Sequence, residues 1–231
     1  MKEPNTQPVN MWDMNPIWDV LTPEEKELLT AQVEVVEYKK NDIIHHEGDT
    51  PTHMMMLARG KVRIYKEGIS QRQQIIRLLK PYDLFAYRAA IAGDEYNSCA
   101  GAFEDCVVYK LNRETFIRFM QSNNAFCYRI LVALARDLAV SQVQTVSLTQ
   151  KHIRGRLADS LLSLKEKYGY DADGALAVNP SREDMANMSN MTTSNAIRTL
   201  SQFAQEGLIR LEGRFIYLLN EEELHHISRL G

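Results

Sequence analysis

The rhythm of hydrophobic and polar positions changes twice along this chain. After a short helical lead from Pro16 to about Thr30, which starts at Thr22-Pro23-Glu24-Glu25, the first half breaks into brief apolar-rich runs. Runs at 33–36, 43–45, 54–57, 62–65, 74–78 and 107–110 are separated by turn signals. These are Lys40-Asn41-Asp42, Glu47-Gly48-Asp49, Arg59-Gly60, Glu67-Gly68 and Pro81-Tyr82-Asp83. Short strands at such spacing predict a small antiparallel β-roll or barrel. From about 123 to 148 the period becomes helical, with no Pro or Gly. Leu131, Leu134, Leu138, Ser141, Thr145 and Leu148 keep a heptad spacing, and Val132, Ala135, Ala139, Val143 and Val146 form a neighbouring stripe. One stripe is expected to pack on the chain's own roll. The heptad set is assigned to a second copy of the chain, as in a two-stranded coiled coil.

The third rhythm is two short helices and a hairpin. Pro180 breaks the preceding segment, Ser181 is an N-cap, and Asp184 completes a capping box. Met185, Ala186 and Met188 give a short apolar face, which Ser189-Asn190-Met191 interrupts. Asn190 suits a left-handed turn. Thr192 caps a second helix with Ile197, Leu200, Phe203 and Ala204 as its expected inward face, and Gly207 ends it. The runs 208–211 and 214–219 flank Glu212-Gly213 as a hairpin, and Asn220 with Glu223 starts a last helix. A helix-turn-helix followed by a hairpin is a winged helix, whose second helix lies in the DNA major groove. Its polar residues fit that role. Thr193, Ser194 and Asn195 lie in the first turn with Arg198 one turn on, groups that bond to base edges. Ser181, Arg182, Thr192 and Arg214 are further candidate DNA contacts, the last beside the wing tip with Arg210.

The fold class is therefore α+β: an N-terminal antiparallel β-roll at 1–122, a long dimerisation helix at 123–149 and a C-terminal winged helix-turn-helix at 150–231. A chain of 231 residues that is 45% hydrophobic has enough material for two modest domains. Three cysteines (Cys99, Cys106, Cys127) without a CxxC pair suit a reducing cytoplasm. No apolar run approaches a membrane span, and no signal-peptide core is read at the start. The net charge of −3 bears on DNA binding, because residues 151–219 hold nine Lys/Arg against eight Asp/Glu. Binding must come from placement, with Arg154, Arg156, Arg182, Arg198, Arg210 and Arg214 on one side.

The order of parts resembles the Crp/Fnr family of bacterial transcription regulators. The residues that carry the resemblance are Glu47-Gly48-Asp49, Gly60, Pro81-Tyr82-Asp83-Leu84-Phe85, Gly155-Arg156-Leu157-Ala158, the segment 181–200 and Glu206-Gly207-Leu208-Ile209. The resemblance implies a cyclic-nucleotide-binding-like jelly roll, a homodimer on a two-fold symmetric duplex operator, and RNA polymerase as a partner. It also implies that Thr193, Ser194 and Arg198 hold the family's main base-reading positions, with Asn195 beside them. Ser194 stands where the family commonly has Glu, so the usual operator is not expected. The implied mechanism is a roll that senses a signal and a hinge near Gln150-Lys151-His152 that re-aims the paired reading heads.

An effector pocket is implied where the roll meets the long helix. Members that bind cyclic AMP carry Gly-Glu-Leu after the strand that ends here at Phe85, and further on an Arg-Ser pair. The Glu takes the ribose hydroxyl and the Arg the cyclic phosphate. This chain has Ala86-Tyr87-Arg88 and Asn97-Ser98, and a buried phosphate without a cationic partner costs several kcal/mol. That argues against cyclic AMP. Another ligand held by Tyr87, Arg88, Asn97, Ser98, Ser141 and Gln142, or a pocket filled by side chains, remains open. An iron–sulfur cluster is argued against by the absence of cysteines before Cys99. Haem has candidate axial ligands in His45, His46, His53 and Met54-Met55-Met56, but core packing of those methionines is the favoured reading. His45-His46-Glu47 suggests a cupin-like metal site, yet neighbours on a strand point to opposite faces, so no metal and no enzyme is expected. Three other readings stay open: an effector-independent regulator controlled by its abundance, a haem-based gas or redox sensor of the same family, and a regulatory subunit acting on protein partners.

Overall fold

The computed structural model describes residues 15–68 and 72–230. It divides into two compact units, Met1–Lys66 with Arg77–Asp137, and Glu67–Ile76 with Leu138–Gly231. The first unit opens with a 3-10 turn at Pro16–Trp18 and helix α1 (Pro23–Thr30), capped as expected by a Thr22/Glu25 capping box. Ten further elements follow, of which β5 is divided between the two units: β1 (Val33–Tyr38), β2 (Ile43–His45), β3 (His53–Arg59), β4 (Val62–Glu67), β5 (Gln73–Leu79), β6 (Leu84–Phe85), α2 (Tyr87–Ala92), β7 (Cys99–Ala102), β8 (Cys106–Asn112) and α3 (Arg113–Ser122). The six expected strands are present. The strand expected to end at Phe85 is the two-residue β6, and the short strand β7 and the helices α2 and α3 are additional to the expected elements.

The strands form two four-stranded sheets, in orders β1-β8-β3-β6 and β2-β7-β4-β5. The pairings β1/β8, β3/β8, β3/β6, β2/β7 and β4/β7 are antiparallel. Alternation along β3 divides the methionine run between two cores, since successive side chains leave a strand on opposite faces. Met55 and Leu57 join Val62, Leu79, Phe85, Ala100, Ala102 and Val108 inside the roll. Met54 and Met56 pack outward with Trp18, Leu29, Tyr87, Phe116, Phe126 and Ile130. At Gly60 (φ +86°) an added Cβ would lie 2.4 Å from the carbonyl oxygen of Asp105, so the turn into β4 admits no side chain.

His45 is buried in β2. Its ring stacks on Tyr96 at 3.8 Å, and its Nδ1 has no partner among the described residues. Burial pushes its imidazole down from 6.5 to about 4. The unfolded chain therefore takes up a proton on this residue at a pH where the folded chain does not. The stability involved is present above pH 6.5 and is lost as pH falls from 6.5 through 4. His45→Phe keeps an aromatic ring on Tyr96 and removes the titration. Between pH 7 and pH 4.5 the parent should lose about 2 kcal/mol more than the variant in urea unfolding. Equal losses would contradict this.

Helix α4 (Asn124–Gln150) runs for 27 residues and contributes to both units. Its buried side chains are Phe126 and Ile130, and Ala133 and Leu134 pack partly against the same core. This corrects the stripe reading in two respects. Leu134, assigned to a partner, touches the chain's own core. Val143 and Val146, on the stripe expected to pack on the roll, are 71% and 50% exposed. The physical reason is that the phase of α4 is set by Phe126 and Ile130, whose large side chains occupy the core first.

The second unit continues with α5 (Ile153–Tyr168), α6 (Arg182–Met188), α7 (Thr193–Gln205), β9 (Ile209–Glu212), β10 (Phe215–Leu218) and α8 (Glu221–Leu230). Leu157, Leu161, Met185, Ala196, Leu200, Phe203, Leu208, Ile216 and Leu224 are buried in it. Lys151 Nζ pairs with Asp159 at 2.8 Å, and Ser147 Oγ donates to the same carboxylate, which ties the end of α4 to α5.

Candidate nucleic-acid interface and sensor cavity

The helix-turn-helix is built as its residue types dictate. Ser181 Oγ accepts from the Asp184 amide (3.0 Å) and Asp184 Oδ2 accepts from the Ser181 amide (2.8 Å), which closes the capping box on α6. Asn190 takes the left-handed conformation (φ +48°) that turns the chain, and Thr192 Oγ1 accepts from the Asn195 amide to cap α7. Ser160 and Ser189 share a buried hydrogen bond of 2.8 Å that pins the turn to α5. Gly207 (φ +72°) ends α7, and β9 and β10 pair antiparallel around Gly213 (φ +60°) as a wing.

The buried face of α7 differs from the expected one. Ala196, Thr199, Leu200 and Phe203 form its buried stripe, while Ile197 is 47% exposed and Ala204 is half-buried. The spacing 196, 199, 200, 203 is the ordinary helical repeat. Small Ala196 and polar Thr199 hid it, and bulky Ile197 drew the phase one residue too far. The correction adds a residue to the exposed face, because Ile197 stands four residues after Thr193 and three after Ser194. Thr193, Ser194, Ile197, Arg198 and Ser201 are all exposed there. Thr192 is exposed at the cap, and Asn195 is half-buried and accepts from Arg198 Nη2 at 2.9 Å.

The expected six-arginine face is not what the side chains form. Arg154 makes a two-pronged ion pair with Glu206 (2.9 and 2.6 Å) and lies over the Phe203 ring at 4.9 Å. Arg210 pairs with Glu212 at 2.8 Å and covers Tyr217. Arg156 donates to the carbonyl of Leu148. Arg182 Nη2 donates to the Gly213 carbonyl at 3.1 Å and so holds the wing turn, while its buried Nη1 has no partner among the described residues. Arg198 and Arg214 remain exposed and outside the ion pairs described. Arg154 and Arg210 are thus taken up by acids and Arg156 and Arg182 by backbone carbonyls, which leaves Arg198 at the helix face and Arg214 at the wing.

In the first unit a cavity of about 250 Å³ is lined by residues of the Pro16 turn, β5, the β6–α2 segment and α4. Tyr87 lines it and donates its hydroxyl to Asp137 Oδ2 (2.8 Å), which also takes Arg77 Nη1 (2.6 Å). Burial, with the Asp137 charge, pushes the Tyr87 hydroxyl well above its usual range, so it stays protonated. Of the six residues proposed for an effector, Tyr87 alone lines this cavity. Arg88 and Asn97 are exposed and Ser98 is half-buried outside it, and Ser141 and Gln142 are exposed on α4 in the second unit. The cavity's own Arg77, Arg129, Arg136 and Asp137 carried no local signal in the sequence. Ala86 adopts φ +62°, a conformation that favours glycine.

No group of three or more metal-ligating side chains gathers among the described residues. Cys99 and Cys106 are buried, and burial pushes the Cys106 thiol up to about 11. No described helix is long and apolar enough to cross a membrane.

Residues 35–123 match the cyclic nucleotide-binding domain family, and residues 155–227 match the Crp-like helix-turn-helix domain family. The chain is 23% identical over 215 residues to the CRP-like cAMP-activated global transcriptional regulator of Mycobacterium tuberculosis, spanning 92% of this chain and 96% of that protein. It is 25% identical over 197 residues to the cyclic AMP receptor protein of Thermus thermophilus, spanning 85% and 89%. The solved structure of FixK2 from Bradyrhizobium japonicum superposes with a TM-score of 0.77 at 24% identity, over 85% of this chain and 97% of that one, which shows the shared fold.

Proposed function

Because the chain belongs to the Crp/Fnr family of transcription regulators, we propose that it binds a two-fold symmetric duplex operator as a homodimer and reads bases through α7. The observation that carries this reading is the exposed face of α7, where Thr193, Ser194 and Arg198 stand together and Arg214 projects at the wing. Arg198 fits guanine O6 and N7, and Ile197 offers an apolar contact to a thymine methyl. Arg182 braces the wing by donating to the Gly213 carbonyl, beside the tip that carries Arg214 toward a phosphate oxygen. Ser181 and Thr192 act as caps that aim the amide ends of α6 and α7.

Leu131, Leu138, Ser141 and Thr145, all exposed on α4, form the contact with a second copy in this reading, with half-buried Leu148 at its end. The dimer places two copies of α7 in major grooves about 34 Å apart. Such a regulator works beside the chromosome, in the cytoplasm, with RNA polymerase as its partner.

The first unit serves as the sensor, for an effector other than cyclic AMP. By the resemblance Tyr87 stands for the ribose-binding carboxylate, which supports this reading, as does the negative charge that Asp137 brings to the wall Tyr87 lines. Mutual bonding of Arg77, Asp137 and Tyr87 also favours a second reading, a regulator active without any effector. Operator binding by the purified protein with nothing added separates the two.

Selection from a randomised duplex pool tests the DNA reading. The parent should enrich one palindromic sequence, and Arg198→Ala should lose about 1–3 kcal/mol of discrimination, with relaxed preference at one position per half-site. Equal enrichment by both proteins would contradict the role given to α7.

A further inference from the structure

We propose that the cavity bounded by Arg77, Arg129 and Arg136 binds a small dicarboxylate. The inference deepens the sensor reading above and rests on it. Three guanidiniums and two carboxylates, Asp83 and Asp137, line the cavity, which leaves positive charge in excess. Both carboxylates have work already. Asp137 accepts from Arg77 and Tyr87, and Asp83 Oδ2 accepts from the Lys80 amide to close the turn before β6. Arg129 and Arg136 make no ion pair among the described residues.

These two arginines are seven residues apart on α4, which is two turns and about 10 Å along the axis. Val132 and Ala133 lie between them on the same flank and also line the cavity. The flank thus reads cation, apolar floor, cation. A four- or five-carbon dicarboxylate matches that order. Each carboxylate takes one guanidinium fork in two parallel hydrogen bonds, and its methylenes rest on Val132 and Ala133. A monocarboxylate satisfies only one fork. The cavity volume of about 250 Å³ falls below the range of about 300–1,000 Å³ typical of larger ligands, as a short chain requires. Arg77, held by Asp137, supplies a third guanidinium on the β5 side. The bound dianion would join two turns of α4 to that strand, and α4 is the helix that continues into the second unit. Differential affinity for two settings of α4 is what would make the ligand a signal.

The test uses the full chain and glutarate as probe, by thermal unfolding and calorimetry at constant ionic strength. Acetate, neutral glutaramide and inorganic phosphate serve as comparisons. The unfolding temperature should rise with glutarate, and acetate and glutaramide should bind at least tenfold more weakly. Arg129→Gln and Arg136→Gln should each weaken glutarate at least tenfold. Arg136→Lys, which keeps the charge and loses the fork, should fall between the parent and the glutamine variant. Circular dichroism without anion establishes that each variant is folded. The proposal is overturned if glutarate acts no better than acetate, if the double glutamine variant binds it as the parent does, or if phosphate alone binds. Duplex selection by the parent in the same buffer keeps the two readings apart. A protein that selects DNA and ignores glutarate overturns this site alone, and one that binds glutarate and no duplex overturns the regulator reading alone.

Discussion

Replacing Leu131 and Leu138 together by glutamate is expected to convert the protein to monomers and to lower operator affinity at least a hundredfold. The two leucines are 59% and 61% exposed and sit seven residues apart, on one side of α4. Isolated exposed leucines are ordinary, but Tyr128, Val140, Val143 and Val146 of the same helix are also at least half exposed. In a two-stranded contact each leucine would bury its side chain, worth about 1.5–3 kcal/mol apiece, and each occurs twice. Glutamates at these positions remove that gain and set like charges against each other across the two-fold axis. A monomer then binds one half-site without the linkage that multiplies affinity by about 10²–10⁴. Sedimentation reads the assembly state, and titration of the selected operator reads the affinity. A double variant that stays dimeric would show that α4 is not the contact.

Phe203→Ala is expected to cost about 3–5 kcal/mol and to abolish operator binding. Phe203 is fully buried in the second unit. Its ring lies 4.9 Å beneath the Arg154 guanidinium, whose ion pair with Glu206 closes the end of α7. Deleting the ring removes the apolar support of α7 and the surface against which Arg154 is ordered, so the reading helix loses its fixed aim. Urea unfolding measures the stability loss, with exposed Ser201→Ala on the same helix as the comparison that should change it by less than about 0.5 kcal/mol. A loss below about 1 kcal/mol for Phe203→Ala would mean that α7 is held by other contacts.

Much of the reading domain was legible because its signals are local. The Ser181/Asp184 capping box, the left-handed Asn190, the Thr192 cap and the terminating Gly207 each specify a backbone state within four residues, and all four are found. Strands with branched or long apolar side chains were legible for the same reason. β7 was not, since Cys99-Ala100-Gly101-Ala102 has little strand preference. It is a strand because it pairs between β2 and β4, with the small side chains of Ala100 and Ala102 turned into the roll interior. α3 does carry a local signal, since Asn112 Oδ1 caps it by accepting from the Glu114 amide.

The cavity beside α4 was illegible for a different reason. Its walls come from residues 15–17, 77, 83–87 and 129–137, distant stretches that no periodicity connects. Resemblance to cyclic-AMP-binding members points to Tyr87, which lines it, and to Asn97 and Ser98, which lie outside it. The arginine count of the reading domain was equally uninformative, because pairing with Glu206 and Glu212 is a tertiary fact.

The most direct measurement is the mass of the full chain bound to its selected duplex, with half-site spacing varied one base pair at a time. Two protomers per duplex should bind tightest when the half-sites lie one helical turn, about 34 Å, apart, and affinity should fall as the spacing departs from that turn. One protomer per duplex, or an affinity indifferent to spacing, would contradict a dimer that reads DNA through paired copies of α7.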